Sequence, residues 1–143
     1  MKVLLDSNIL LDIALKREPF AKEAFDIFSL IQRNKIQGFV SALTVSHLHY
    51  IINKNLSRSK ADEFVKDVLT IFDVAPVDKE ILVNAIEMNL PDFEDAIQLN
   101  SAKKVSLNVI ITRNKKDFQS SEIPTLTPVE FLKNYLSAKG KFK

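Results

Sequence analysis

Two stretches of the chain are continuous apolar runs that close on polar residues. Val3-Leu4-Leu5 runs into Asp6-Ser7-Asn8, and Val109-Ile110-Ile111 runs into Thr112-Arg113-Asn114. A strand without polar alternation is buried on both faces, as in a parallel sheet covered by helices. Elsewhere the apolar positions recur at helical spacing. Ala24, Phe25, Ile27, Phe28 and Ile31 predict a helix over 20–34, and Val45, Leu48, Ile51 and Ile52 predict another over 42–54. Further helices are expected over 9–16, from Ser59 to about 71, from Asp78 to 89 and over 92–105. Glu18-Pro19 separates the first two, because the residue before proline is biased away from helical geometry. Short strands are predicted at Phe39-Val40, over 72–77 and over 123–126. Pro76 suggests an edge position for the second of these.

Helix starts are legible from side chains that can accept from free backbone N–H groups. Ser41, Asp78 and Ser59 (with Asp62) read as N-caps. Thr127-Pro128-Val129-Glu130 is a capping box with proline at the first helical position, opening a last amphipathic helix through Phe131, Leu132, Tyr135 and Leu136. Strands separated by helices predict an α/β fold: one domain over residues 2–136, a central parallel sheet of about five short strands and helices on both faces. Residues 137–143 read as a basic, frayed tail.

Composition narrows the chemistry. The 143 residues include no cysteine, which removes disulfides, thiolate chemistry and Cys-based zinc sites. The only glycines are Gly38 and Gly140, so a Gly-rich phosphate loop is excluded. Asp6 interrupts the first apolar run far short of a signal-peptide core, and no run approaches the roughly 18 apolar residues of a membrane span. A cytoplasmic protein with no membrane association is the expectation. The net charge of +2 is too small to argue for nucleic-acid binding, and each local basic group, taken alone, reads as a solvated face.

Three segments converge on one edge of the predicted sheet, where ligands sit in such folds. Asp6, with Ser7 and Asn8, follows the first strand; Asp6 reads locally either as a helix N-cap or as a ligand. Asp92 and Asp95 are three residues apart, so both fit on one face of a helix's first turn. Acids there complement the helix dipole, but apolar residues resume directly after Asp95, which places it where the helix enters the core. A carboxylate in that position wants a partner, and a hard cation is one candidate. Thr112-Arg113-Asn114 is the third segment. Carboxylates without Cys and with only two His favour Mg²⁺ or Mn²⁺ over zinc, and such ions suit phosphoryl chemistry. Arg113, Lys115 and Lys116 could hold a polyphosphate backbone.

Val3-Leu4-Leu5-Asp6-Ser7-Asn8-Ile9, Ser41-Ala42-Leu43-Thr44, Asp92-Phe93-Glu94-Asp95-Ala96 and Ile110-Ile111-Thr112-Arg113-Asn114-Lys115-Lys116-Asp117-Phe118 occur in this order. Together they resemble the PIN-domain family, which includes the toxin ribonucleases of the VapC type. The resemblance spans about Lys2 to Leu136. It implies a three-layer parallel α/β sheet, a cluster of acids, and Mg²⁺- or Mn²⁺-dependent cleavage of single-stranded or structured RNA. It also implies a homodimer and, for toxins, an antitoxin protein. By position, Asp6 and Asp95 match family acids, and Thr112 matches the hydroxyl after the fourth strand.

Two positions depart: His47 stands where the family carries an acid, and Asn114 where it often carries Asp. Asp92 is the expected replacement carboxylate, with Asp117 behind it. The resulting expectation is an endoribonuclease in which Asp6, Asp95 and Asp92, helped by the Asn114 amide, hold one divalent ion. Ser7, Asn8 and Thr44, with His47, Thr112, Arg113 and Lys115, then face the substrate. The competing expectation is an RNA- or protein-binding module whose catalysis is weakened by His47 and Asn114. A haloacid-dehalogenase-like phosphatase fits less well, since its second acid would fall on Asn8.

Overall fold

The first strand alternates strictly between the two sides of the sheet, and that alternation divides the core. Val3 and Leu5 pack with one apolar cluster and Leu4 with another, all three fully buried. In this computed structural model, which describes residues 1–118 and 121–141, the order begins β1 (Lys2–Leu5), α1 (Ser7–Ala14), α2 (Ala21–Gln32), β2 (Gln37–Ser41), α3 (Ala42–Asn55) and α4 (Arg58–Ile71). It continues with β3 (Asp73–Ala75), α5 (Lys79–Glu87), α6 (Phe93–Lys104), β4 (Val109–Ile111), a 3₁₀ turn (Lys115–Phe118), β5 (Thr125–Leu126) and α7 (Pro128–Lys141). The sheet is parallel throughout, in the order β3-β2-β1-β4-β5. Leu4 pairs with Phe39 of β2 on one side and Ile110 of β4 on the other.

On one face Val3, Leu5, Val40, Val109 and Ile111 meet α1, α2, α3, α4 and α7, with Ile9, Ile27, Leu48, Val68 and Phe131 among the contacts. On the other, Leu4, Phe39, Ala75 and Ile110 meet Leu99 and Ala102 of α6 and Phe118 of the 3₁₀ turn. Helix α5 packs on α6 through Ile81, Ala85, Ala96 and Ile97. The result is the expected three-layer fold, each fully buried Leu or Ile contributing about 1.5–3 kcal/mol relative to exposure. Gly38 is required by contact rather than by backbone angle. A Cβ there would stand 2.7 Å from Ile31 Cδ1 and 2.8 Å from the Phe72 ring. Among the described residues, no helix is long and apolar enough to cross a membrane.

Most expected helix starts are as read. Ser41 Oγ accepts from Leu43 and Thr44 N–H, and Asp78 Oδ1 from Ile81 N–H at 2.9 Å. The capping box closes in both directions, Thr127 N–H to Glu130 Oε1 and Glu130 N–H to Thr127 Oγ1. One cap moves. Ser57, not Ser59, accepts from Lys60 N–H at 3.1 Å, and Asp62 instead bonds His49 at 2.7 Å across the α3–α4 hairpin. The hairpin gives Asp62 a long-range partner that local spacing does not show. His49 lowers the Asp62 carboxyl mainly through that hydrogen bond. At the other end, α7 carries helical backbone to Lys141, past the point where fraying was expected. Residues 142 and 143 lie outside the described residues.

Candidate active site

β2 and β3 lie on one side of β1, β4 and β5 on the other, so the chain reverses its progress across the sheet at the β1–β4 pair. The crevice outside the carboxyl ends at such a reversal is where doubly wound sheets take ligands. Asp6 leaves β1 and Thr112 leaves β4 at this crevice.

Asp6 occupies the N-cap position of α1, yet its side chain makes no capping bond. The buried carboxylate turns to the neighbouring strand and to α6 instead. Thr112 Oγ1 donates to Oδ2 at 2.7 Å, Gln98 Nε2 donates to Oδ1 at 3.3 Å, and Ser7 Oγ lies 3.4 Å from Oδ1. The Asn114 N–H donates to Thr112 Oγ1 at 3.0 Å, so the hydroxyl proton is left for Asp6. The cap reading of Asp6 therefore fails at the side chain. Its carboxylate is oriented by donors on both oxygens, two on Oδ1 and one on Oδ2, which leaves a lone pair on Oδ2.

Asp92 is the N-cap of α6, its Oδ1 accepting from Asp95 N–H at 3.1 Å. This sets Asp95 in the first turn, buried, where the helix enters the core. Burial raises the Asp95 carboxyl first, and the charges of Asp92, Asp117, Asp6 and Glu94 raise it further, to about 7. Glu94 is raised too, chiefly by burial; His47 acts against this, and Asp92 and Asp6 add to it. Carboxylates from β1, α6 and the 3₁₀ turn thus act on one another at the same edge. His47 of α3 is half-buried and within electrostatic reach of Glu94.

The donor set suits a hard divalent cation in its chemistry: carboxylate, hydroxyl and amide oxygens, with no thiolate. Two buried oxygens in these elements, Thr44 Oγ1 and Gln98 Oε1, have no hydrogen-bond partner among the described residues. Among the described residues, however, no three His, Asp or Glu side chains are gathered tightly enough to form a ready-made ion cage. The acids are of the kind that fits the ion, without being drawn together into a cage.

Two cations expected at the substrate side are engaged elsewhere. Arg113 donates through Nε and Nη2 to both oxygens of Asp12, at 2.8 and 3.1 Å, and its guanidinium lies 4.0 Å from the centre of the Phe20 ring. Asp12 is fully buried, with Arg17 at 3.7 Å as a second, longer partner. Burial raises the Asp12 carboxyl, and the hydrogen bond from Arg113 opposes this most. Arg113 is thus the partner of a buried acid, a role that locks the β4 exit onto α1. Lys115 Nζ pairs with Glu130 at 3.1 and 3.2 Å. Asn8 is half-buried and Asn114 exposed, and neither side chain makes a hydrogen bond among the described residues. Three residues of the site went unread in the sequence. Glu94 lies within the acidic stretch 92–95, and Gln98 follows Asp95 by one helical turn, a spacing that signals a shared face. Asp12 gave no signal, being an acid in an otherwise apolar helix.

The PIN domain family's sequence profile matches residues 2–116. Ribonuclease VapC1 of Aquifex aeolicus is 30% identical over 139 residues, covering 94% of this chain and 95% of that protein. Among solved structures, a toxin-antitoxin complex from Klebsiella pneumoniae contains a chain that is 25% identical with a TM-score of 0.65, over 88% of this chain and 97% of that one. VapBC2 from Rickettsia felis, bound to a DNA fragment from its promoter, has a chain with a TM-score of 0.70 at 15% identity, over 89% and 98%. Matched over most of its length in sequence and in fold, the chain belongs to the PIN domain family.

Proposed function

We propose that the protein is a toxin-type endoribonuclease that cleaves RNA phosphodiesters with one Mg²⁺ or Mn²⁺ ion. The observation that carries this reading is the Asp6 carboxylate, buried at the β1–β4 reversal, released from capping and aimed by Thr112 and Gln98. Asp6 and Asp95 would hold the ion, with Asp92 contributing charge across the first turn of α6. Bound there, the ion would supply a water of lowered pKa and offset charge on the phosphate oxygens. Glu94 is the carboxylate best placed to offset the loss of the acid at His47, since it interacts with both His47 and Asp6. His47, half-buried, would orient the RNA backbone, whereas Ser7 and Thr44, expected beside it, are buried. Lys115, solvent-exposed in its pair with Glu130, would be able to exchange that partner for a phosphate, whereas Arg113 does not leave Asp12 without stranding a buried charge.

The relatives extend the reading. The Aquifex protein is named a ribonuclease, and the Klebsiella and Rickettsia structures are toxin-antitoxin assemblies. An antitoxin protein is accordingly the proposed partner, with a homodimer as the proposed working unit, in the cytoplasm. The dispersed acids favour a second reading: a PIN-like module that binds RNA or a protein without cutting it.

Cleavage of single-stranded RNA by native protein and Asp6→Asn, with Mn²⁺ and with Mg²⁺, separates the two. The expected outcome is metal-dependent cleavage by the native protein. Asp6→Asn should lose at least the roughly 10–100-fold that removing a hydrogen-bond partner of a metal ligand costs, with its circular dichroism unchanged. Equal rates in both proteins, or RNA binding without cleavage, overturn the nuclease reading.

A further inference from the structure

We propose that Gln98 is a positioning residue for Asp6: a buried amide that fixes the carboxylate in the orientation a divalent ion requires. The inference rests on the metal-dependent reading above. Gln98 lies on α6 one turn beyond Asp95, so the helix that carries one acid also reaches the other. Its side chain is 1% exposed, in a stretch of α6 where Ala96, Ile97, Leu99 and Ala102 are buried as well. An apolar residue of similar size would suit that environment better, because a buried amide oxygen without a partner is a net cost. Among the described residues, Gln98 Oε1 is such an oxygen.

What offsets that cost is the other end of the amide. Nε2 donates to Asp6 Oδ1 at 3.3 Å. The amide cannot be turned over to relieve its oxygen, since that would set Oε1 against a carboxylate at the same distance. Its orientation is therefore fixed by Asp6, as the orientation of Asp6 is fixed by it. Thr112 holds Oδ2 from β4 while Gln98 holds Oδ1 from α6. The carboxylate plane is thereby pinned from two elements. Oδ1 accepts from Gln98 and Ser7 and Oδ2 from Thr112 alone, so a lone pair on Oδ2 is left for the ion.

The test compares native protein with Gln98→Leu and Gln98→Glu, measuring metal-free melting temperature and Mn²⁺ affinity by calorimetry. Gln98→Leu removes the donor together with the unpartnered oxygen. Its metal-free melting temperature should equal or exceed the native value, while its Mn²⁺ affinity falls by about 10-fold or more. A residue that only fills the core does the reverse, losing stability and leaving ion affinity unchanged, and that result overturns the proposal. Gln98→Glu keeps the size but faces Asp6 with a second acid. It should melt below native without metal and gain more from Mn²⁺ than native does; an equal gain overturns the proposal. Native protein that binds no Mn²⁺ removes the metal reading and this inference together. Native binding matched by both variants removes only the role of Gln98.

Discussion

At the scale of single residues, the acids of this edge divide by what burial does to them. Asp95 is the extreme, its carboxyl raised from the ordinary range to about 7 by burial and by four neighbouring acids. A folded-state pKa above the unfolded value means that the folded chain holds the proton more tightly. Stability from that proton is full below the unfolded pKa near 3.8 and is lost as pH rises through about 7. Metal-free native protein should therefore lose melting temperature between pH 5 and pH 8 by more than Asp95→Asn does. Saturating Mn²⁺ at pH 8 should restore the native protein only. Parallel pH profiles for the two proteins would contradict the placement of Asp95.

Residue identities announced much of this site. Asp6, Ser7 and Thr112 stand out in the sequence because each follows an apolar strand run, and Asp95 because an apolar run follows it. Arg113 was misread because a cation after a strand looks solvent-facing, while its partner Asp12 lies 101 residues earlier in α1. Gln98 was missed for the same reason, its bond to Asp6 spanning 92 residues. Long-range pairing inside the core has no local pattern to betray it.

At the scale of elements, Asp92 joins two duties. It caps α6, and its charge acts on Asp95 and Glu94. Asparagine caps about as well as aspartate, whereas alanine costs about 1 kcal/mol at an N-cap. Asp92→Asn should keep native stability in urea unfolding and still lose Mn²⁺-dependent cleavage. Asp92→Ala should lose both. Full cleavage by Asp92→Asn would reduce Asp92 to a cap. The elements themselves were legible, since the strand runs are unbroken and the helix caps are chemical. The cap of α4 was the exception. Ser57 and Ser59 both precede a helical run, and only packing decides that Asp62 belongs to His49.

At the scale of the whole molecule, the β3-β2-β1-β4-β5 order converts a list of acids into a site. It places β1 and β4 side by side and opens their carboxyl ends to the first turn of α6. The α/β class and both-faced helical cover were readable from the alternation of strand and helix patterns. The strand order was not fixed by them, because parallel crossovers of similar length serve several orders. The central claim is that Asp6 and Asp95, on different elements, share one divalent ion. Mn²⁺ titration of native protein, Asp6→Asn and Asp95→Asn by calorimetry tests it most directly. The account predicts one ion per native chain and severe loss of affinity in each variant alone. Native-like binding by either variant would contradict it.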